Sequence, residues 1–229
     1  MTMIALNLQQ VHARIVTACT AAERDAASVH LLAVSKTFPT EAVREAHAAG
    51  QRAFGENYIQ EGVAKIEALA DLRADLQWHC IGPLQSNKTR LVAEHFDWVH
   101  SVDRLKIAER LSEQRPAHLP PLQVCLQVNV DGGANKAGVP PDEALALAQA
   151  VRKLPRLALR GLMAIPEPAP DFMAQRTLCM RVAAVFAQIR EAGVELDTLS
   201  LGMSADLEAA VAAGSTMVRV GTAIFGGRG

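Results

Sequence analysis

Residues 30–50 read HLLAVSKTFPTEAVREAHAAG, and they hold one complete structural unit. HLLAV is a nearly continuous apolar run of the length of a buried strand. It ends, one residue later, on Lys36. Thr40 then offers a helix cap, EAVREAHAA keeps helical spacing, and Gly50 supplies the stop. The same alternation recurs on either side. RAFGEN (52–57) precedes the helical YIQEGVAKIEALADL; LQWHCIG (76–82) precedes QSNK and a further helical run; FDWVHSV (96–102) precedes RLKIAERLSEQ. PLQVCLQVNV (121–130) leads to PDEALALAQAVRKL, and LALRGLMAI (157–165) leads, after a Pro-rich loop, to a long helix through Arg190. DTLSLG (197–202) and TMVRVG (216–221) close the series.

Strands are therefore predicted at 30–35, 52–55, 76–81, 96–101, 122–129, 157–163, 197–201 and 216–220. Eight strand–helix units in 229 residues fit a (β/α)8 TIM barrel. An open doubly wound sheet accounts for the alternation too. Apolar spacing over about 5–24 predicts an additional opening helix. The Pro- and Gly-rich stretches at 116–121, 131–141 and 164–171 read as connections within one domain spanning 1–229.

Half of the residues are apolar, 21% are charged, and the formal net charge is -1. That composition argues against disorder and gives no global reason to expect nucleic acid as a partner. The four cysteines, Cys19, Cys80, Cys125 and Cys179, form no CxxC pair and read as reduced core thiols of a cytoplasmic protein. Polar residues interrupt the N-terminal MTMIALNLQQVHARI before a signal-peptide core develops, and no run of about 18 apolar residues could span a membrane. Seven scattered histidines, without HExxH or close cysteine partners, give little support for a metal site.

In a barrel, the residues just past the strand ends converge on one mouth. Lys36 sits there. A lone lysine after a strand often only emerges into solvent, but a partly desolvated amine is the group that condenses with an aldehyde. STMVRVGTAIFG (215–226) adds a second anchor: Gly221 and Thr222 open a short helix whose free N–H groups suit an anion. In LGMSAD (201–206), Ser204 reads either as a phosphate donor or as an ordinary N-cap. Neither GxGxxG nor GxxxxGK[ST] occurs, so the usual signatures of dinucleotide binding and nucleoside-triphosphate hydrolysis are missing.

Six segments carry a more specific signal: LLAVSKT (31–37), FGENYIQE (54–61), WHCIGPLQSNK (78–88), RGLMAIP (160–166), LSLGMSADLEAA (199–210) and GSTMVRVGTAIFG (214–226). In these, in this order, the chain resembles the pyridoxal phosphate homeostasis proteins. The resemblance implies a barrel like the N-terminal domain of alanine racemase, a fold type III site, with pyridoxal 5'-phosphate (PLP) at its mouth. It implies an imine on Lys36, phosphate contacts from Gly202, Met203, Ser204, Gly221 and Thr222, and Arg219 facing the pyridine nitrogen. Asn57 is expected either as a cofactor neighbour or as a turn residue, and His79 either beside the cofactor or in the core. Lys88 and Lys136 are expected to be solvated, with contacts to free PLP or a client enzyme as the alternative.

A racemase needs acid–base groups on both faces of its substrate adduct. The only tyrosine here is Tyr58, at a predicted helix start, and 229 residues leave no length for a racemase's second domain. The expectation is thus a monomeric carrier that buffers PLP or delivers it to apo-enzymes; the resemblance implies a role in vitamin B6 balance with effects on amino-acid and keto-acid metabolism. A weak PLP-dependent racemase and a PLP-responsive regulatory scaffold stand as alternatives.

Overall fold

In the computed structural model, which describes residues 2–131 and 137–227, eight parallel strands close into a barrel in sequence order. The strands are β1 (His30–Val34), β2 (Ala53–Glu56), β3 (Gln77–Cys80), β4 (Trp98–Val102), β5 (Leu122–Gln127), β6 (Leu157–Met163), β7 (Thr198–Ser200) and β8 (Met217–Val220). Closure comes from β1 pairing with β8 over His30↔Met217 to Ala33↔Val220. The open-sheet alternative is thereby excluded. Each predicted strand is found, with ends shifted by a residue or two. β7 is the shortest, reduced to three residues.

Helices cover the outside. α1 (Met3–Ala21) opens the chain, somewhat earlier than the expected 5–24. There follow α2 (Thr40–Ala48), α3 (Ile59–Ala68), α4 (Thr89–His95), α5 (Leu105–Gln114), α6 (Pro141–Val151), α7 (Phe172–Glu191), α8 (Leu207–Ala212) and α9 (Thr222–Phe225). Two capping expectations are corrected. Thr40 is already inside α2 and Pro39 occupies the cap, without a side-chain bond; proline has the extended backbone this position needs. Ser204 does not cap α8, because that helix starts three residues later, after Asp206.

Strand alternation divides the side chains between two cores. Leu31 and Ala33 join the large apolar layer between strands and helices, while Val34 and Lys36 line the mouth. Inside the barrel, Trp98, Cys125 and Met163 form a small cluster of their own. The remaining interior is unusual for this architecture, where branched apolar residues dominate: His79, His100, Ser200 and Arg219 are all buried there. All four cysteines are buried and free, and desolvation pushes Cys80 and Cys125 up to about 12 and Cys179 to about 11, so they are inert thiols at neutral pH. No described helix is long and apolar enough to cross a membrane.

Candidate functional site

A cavity of about 340 Å³ opens where the strands end. Seven of the nine residues expected from sequence line it: Lys36, Asn57, Met203, Ser204, Arg219, Gly221 and Thr222; Gly202 and His79 do not. They come from the ends of β1, β2, β7 and β8. Sequence reasoning did not single out Phe38, Ile81 and Ile165, which supply apolar walls. Phe38 is held by stacking on Phe225, ring centroids 5.1 Å apart. Ile81 lies two residues beyond inward-facing His79, so strand periodicity carried a signal for it.

Two glycines place the polar groups. Gly202 has φ +92°, and a Cβ there would stand 2.6 Å from the Ala210 methyl. Only glycine takes that backbone cheaply and lets the Met203–Ser204 turn sit tightly over α8. At Gly82 a Cβ would overlap the Asn57 carbonyl oxygen at 2.1 Å, so its absence brings Asn57 against the loop after β3. Asn57 Oδ1 is buried and has no protein partner.

The late loops form an anion cradle. The backbone N–H groups of Thr222 and Ala223 begin α9 and donate to no backbone carbonyl among the described residues. The amides of Ser204 and Ala205 are likewise unspent, while Met203 N donates to Asp206 Oδ1 at 2.7 Å and fixes the turn. The Ser204 and Thr222 hydroxyls add two further donors to the same cavity.

Arg219 forms the inner wall. Its Nη1 donates to the Ser200 carbonyl and hydroxyl oxygens, both at 2.7 Å, and Nη2 donates to the Ala164 carbonyl at 2.9 Å. Three of five N–H donors are thus used, leaving Nε–H and one Nη2–H. Burial lowers the guanidinium to about 10, so it is still a cation at neutral pH. Behind it, Ser200 Oγ lies 3.0 Å from His100 Nδ1, and His100 Nε2 lies 2.9 Å from His79 Nδ1.

One proton arrangement satisfies this chain best. Ser200 Oγ accepts from Arg219, so its own hydroxyl donates to His100 Nδ1. His100 then carries its proton on Nε2 and donates to His79 Nδ1, which leaves His79 with a proton on Nε2. His79 Nε2 has no partner among the described residues in either arrangement, but the reverse one would also orphan the Ser200 hydroxyl hydrogen. Burial holds His79 neutral, down to about 3; burial, neighbouring His79 and Arg219 hold His100 well below its ordinary value.

His79 is the exception among the expected cofactor neighbours. It stacks on Trp98, ring centroids 5.1 Å apart and 10° from parallel, and lines a separate cavity at the opposite end of the barrel. It reaches the mouth only through His100, Ser200 and Arg219. Tyr58 is 54% exposed and does not line the mouth. Lys88 ends a short 3-10 turn before α4, also away from that cavity, and Lys136 lies outside the described residues. No cluster of three metal-ligating side chains occurs among the described residues.

A family model described as alanine racemase, N-terminal domain, matches residues 6–229. The pyridoxal phosphate homeostasis protein of Pseudomonas aeruginosa is 62% identical over 232 residues, covering 100% of this chain and 97% of the relative. The protein of the same name from Escherichia coli K12 is 56% identical over 229 residues, covering 100% and 98%. Among solved structures, PipY of Synechococcus elongatus with PLP bound superposes with a TM-score of 0.85 at 40% identity, over 97% of this chain and 100% of that one. Alanine racemase from Corynebacterium glutamicum matches with a TM-score of 0.69 at 17% identity, over 97% of this chain and 60% of its own, and shares the fold.

Proposed function

Because the chain belongs to the family of the pyridoxal phosphate homeostasis proteins, we propose that its mouth holds PLP reversibly through an imine with Lys36 and serves vitamin B6 balance as a carrier. The single observation that carries this reading is the convergence of an amine, an anion cradle and a buried guanidinium on one 340 Å³ cavity. The residues present fit the cofactor. Buried Asn57 Oδ1 lacks a partner that a bound polar ring would supply, and the unspent amides around Ser204 and Thr222 suit a phosphate.

Each residue has a distinct task. Lys36 would hold PLP by reversible condensation of its amine with the aldehyde, which releases water and is undone by hydrolysis or by exchange with another amine. Ser204 and Thr222 hold the phosphate with hydroxyl and backbone donors. Arg219 would present its unspent N–H donors to the pyridine nitrogen and so disfavour protonation of that nitrogen. PLP supplies electron-sink chemistry when bound, and a cationic donor at that position weakens it. Phe38, Ile81 and Ile165 shield the ring from water.

This set is built for retention and release. Tyr58, the chain's only phenol, is exposed and outside the cavity, so no tyrosine completes a pair of acid–base groups around Lys36. We read 1–229 as one barrel domain acting as a cytoplasmic monomer, with PLP-dependent apo-enzymes as transient recipients. The test is transfer. PLP-loaded, dialysed protein is mixed with an excess of an apo-form PLP enzyme, and the imine band and the recipient's activity are followed together. A carrier loses its band as activity appears; a band that persists beside an inactive recipient contradicts delivery.

A further inference from the structure

Lys36 is flanked on both sides by residues tied to one buried ionic cluster. Lys65, on α3, spends its three N–H donors on three acceptors: the Ser35 carbonyl at 2.6 Å, Glu56 Oε1 at 2.8 Å and Glu61 Oε1 at 2.7 Å. Ser35 Oγ donates to the same Glu56 oxygen at 2.6 Å. On the far side of Lys36, the Thr37 amide donates to Glu61 Oε1 at 2.5 Å. The residues before and after Lys36 are therefore fixed by a single ammonium and two carboxylates.

The cluster sits where simple stability would favour apolar side chains. The Lys65 side chain is 7% exposed and that of Glu56 is 0%. Burying such a pair removes both charges from water, and well-packed apolar replacements are often at least as stable. The backbone it holds is strained: Thr37 adopts φ +67°, the left-handed region that a β-branched residue avoids. A costly buried pair that maintains a strained backbone beside the reactive lysine is a device for geometry. Lys36 itself contacts none of these charges, and its side chain turns the other way, into the mouth.

We propose that Lys65, with Glu56 and Glu61, is a positioning residue for Lys36: it locks the 35–37 backbone so that the amine enters the mouth in the orientation for imine formation. The inference rests on Lys36 being the imine-forming residue. Its gain is preorganisation, since a misaligned amine loses rate even where the cofactor still binds.

The experiment separates binding from bond formation. Full-length Glu61→Gln and the paired Lys65→Met/Glu56→Gln variant are mixed with PLP, and growth of the imine band is timed. Affinity is measured in parallel for a PLP analogue carrying a methyl group in place of the aldehyde. The pair removes both charges together, whereas Glu61→Gln leaves Lys65 with Glu56, so the two variants load the fold in different ways. Imine formation is expected to slow about tenfold or more in each folded variant, while the analogue binds within about twofold of wild type. Amide exchange at Thr37 should quicken. Folded variants that form the imine at the wild-type rate overturn the positioning role alone. Absence of the imine in wild type, or its persistence in Lys36→Ala, overturns the Lys36 assignment on which that role rests.

Discussion

The two ends of the barrel offer two cavities, and the larger one is the poorer candidate. The cavity where the strands begin is about 720 Å³ and is lined by Arg52, Arg160, Asp197, His79 and Trp98 among others. The mouth is less than half that size. At the floor, His79 Nε2 lacks a partner, but the charged groups answer one another. Arg160 makes three contacts to the Asp197 carboxylate at 2.5–3.0 Å, another to Gln123 at 2.6 Å, and lies 5.0 Å over the Trp98 ring. Arg52 donates to the His47 and Gln51 carbonyls. The mouth differs: an amine, two hydroxyls, several amides and a carbonyl oxygen converge without protein partners among the described residues. Unanswered polar groups that share a focus mark a site better than volume does.

The largest expected effect tests the floor as structure. Trp98→Ala removes the ring that His79 stacks on and Arg160 covers, and should cost about 3–5 kcal/mol of stability in a urea titration. PLP affinity of the folded fraction should hold. A variant that keeps its stability and loses PLP would move function to the floor and break the comparison.

Acid sharpens it next. His79 binds a proton near its ordinary 6.5 when unfolded but only near 3 when folded, so the unfolded state takes up the proton first as pH falls. Its contribution is therefore fully present above about 6.5 and declines by up to about 1.4 kcal/mol per pH unit towards 3. The difference in stability slope between wild type and His79→Gln over that window reads this term. Equal slopes would mean that His79 is not held neutral.

At the mouth, Ser204→Ala and Thr222→Ala should each weaken PLP retention by about tenfold, the worth of one hydrogen bond to a charged group. Melting temperature should hardly move, since neither hydroxyl has a protein partner. Equilibrium dialysis checks it, and unchanged affinity in both variants would place the phosphate elsewhere. The smallest effect expected is at Tyr58→Phe, which should change stability by no more than about 0.5 kcal/mol and leave the imine spectrum as it is. A changed spectrum would give that exposed phenol a part at the mouth.

What sequence could say about these two ends follows from the physics of strands. The alternation of short apolar runs with helical spacing exposed all eight units, because burial on both faces leaves that pattern in parallel strands. It also put the mouth residues together, since all but Arg219, which lies within β8, stand just past a strand end. His79 was left open between cofactor and core for a definite reason: a two-residue period tells which face a side chain takes, but not how far down the barrel it lies. Ser200 and His100 were invisible because their meeting spans a sequence separation of 100. In sequence, Lys65 stands four residues after Glu61, a spacing that fits an ordinary pair on a helix surface. Only the closed sheet brings Glu56 and Ser35 to it and turns a surface pair into a buried brace.

The most direct measurement is the absorbance spectrum of wild-type and Lys36→Ala protein after loading with PLP, removal of free ligand, and borohydride reduction followed by peptide mapping. The account predicts a retained imine band in wild type, its absence in the variant, and a reduced pyridoxyl adduct on the peptide that contains Lys36. A well-folded wild type with no band, or an adduct mapped to another lysine, would contradict it.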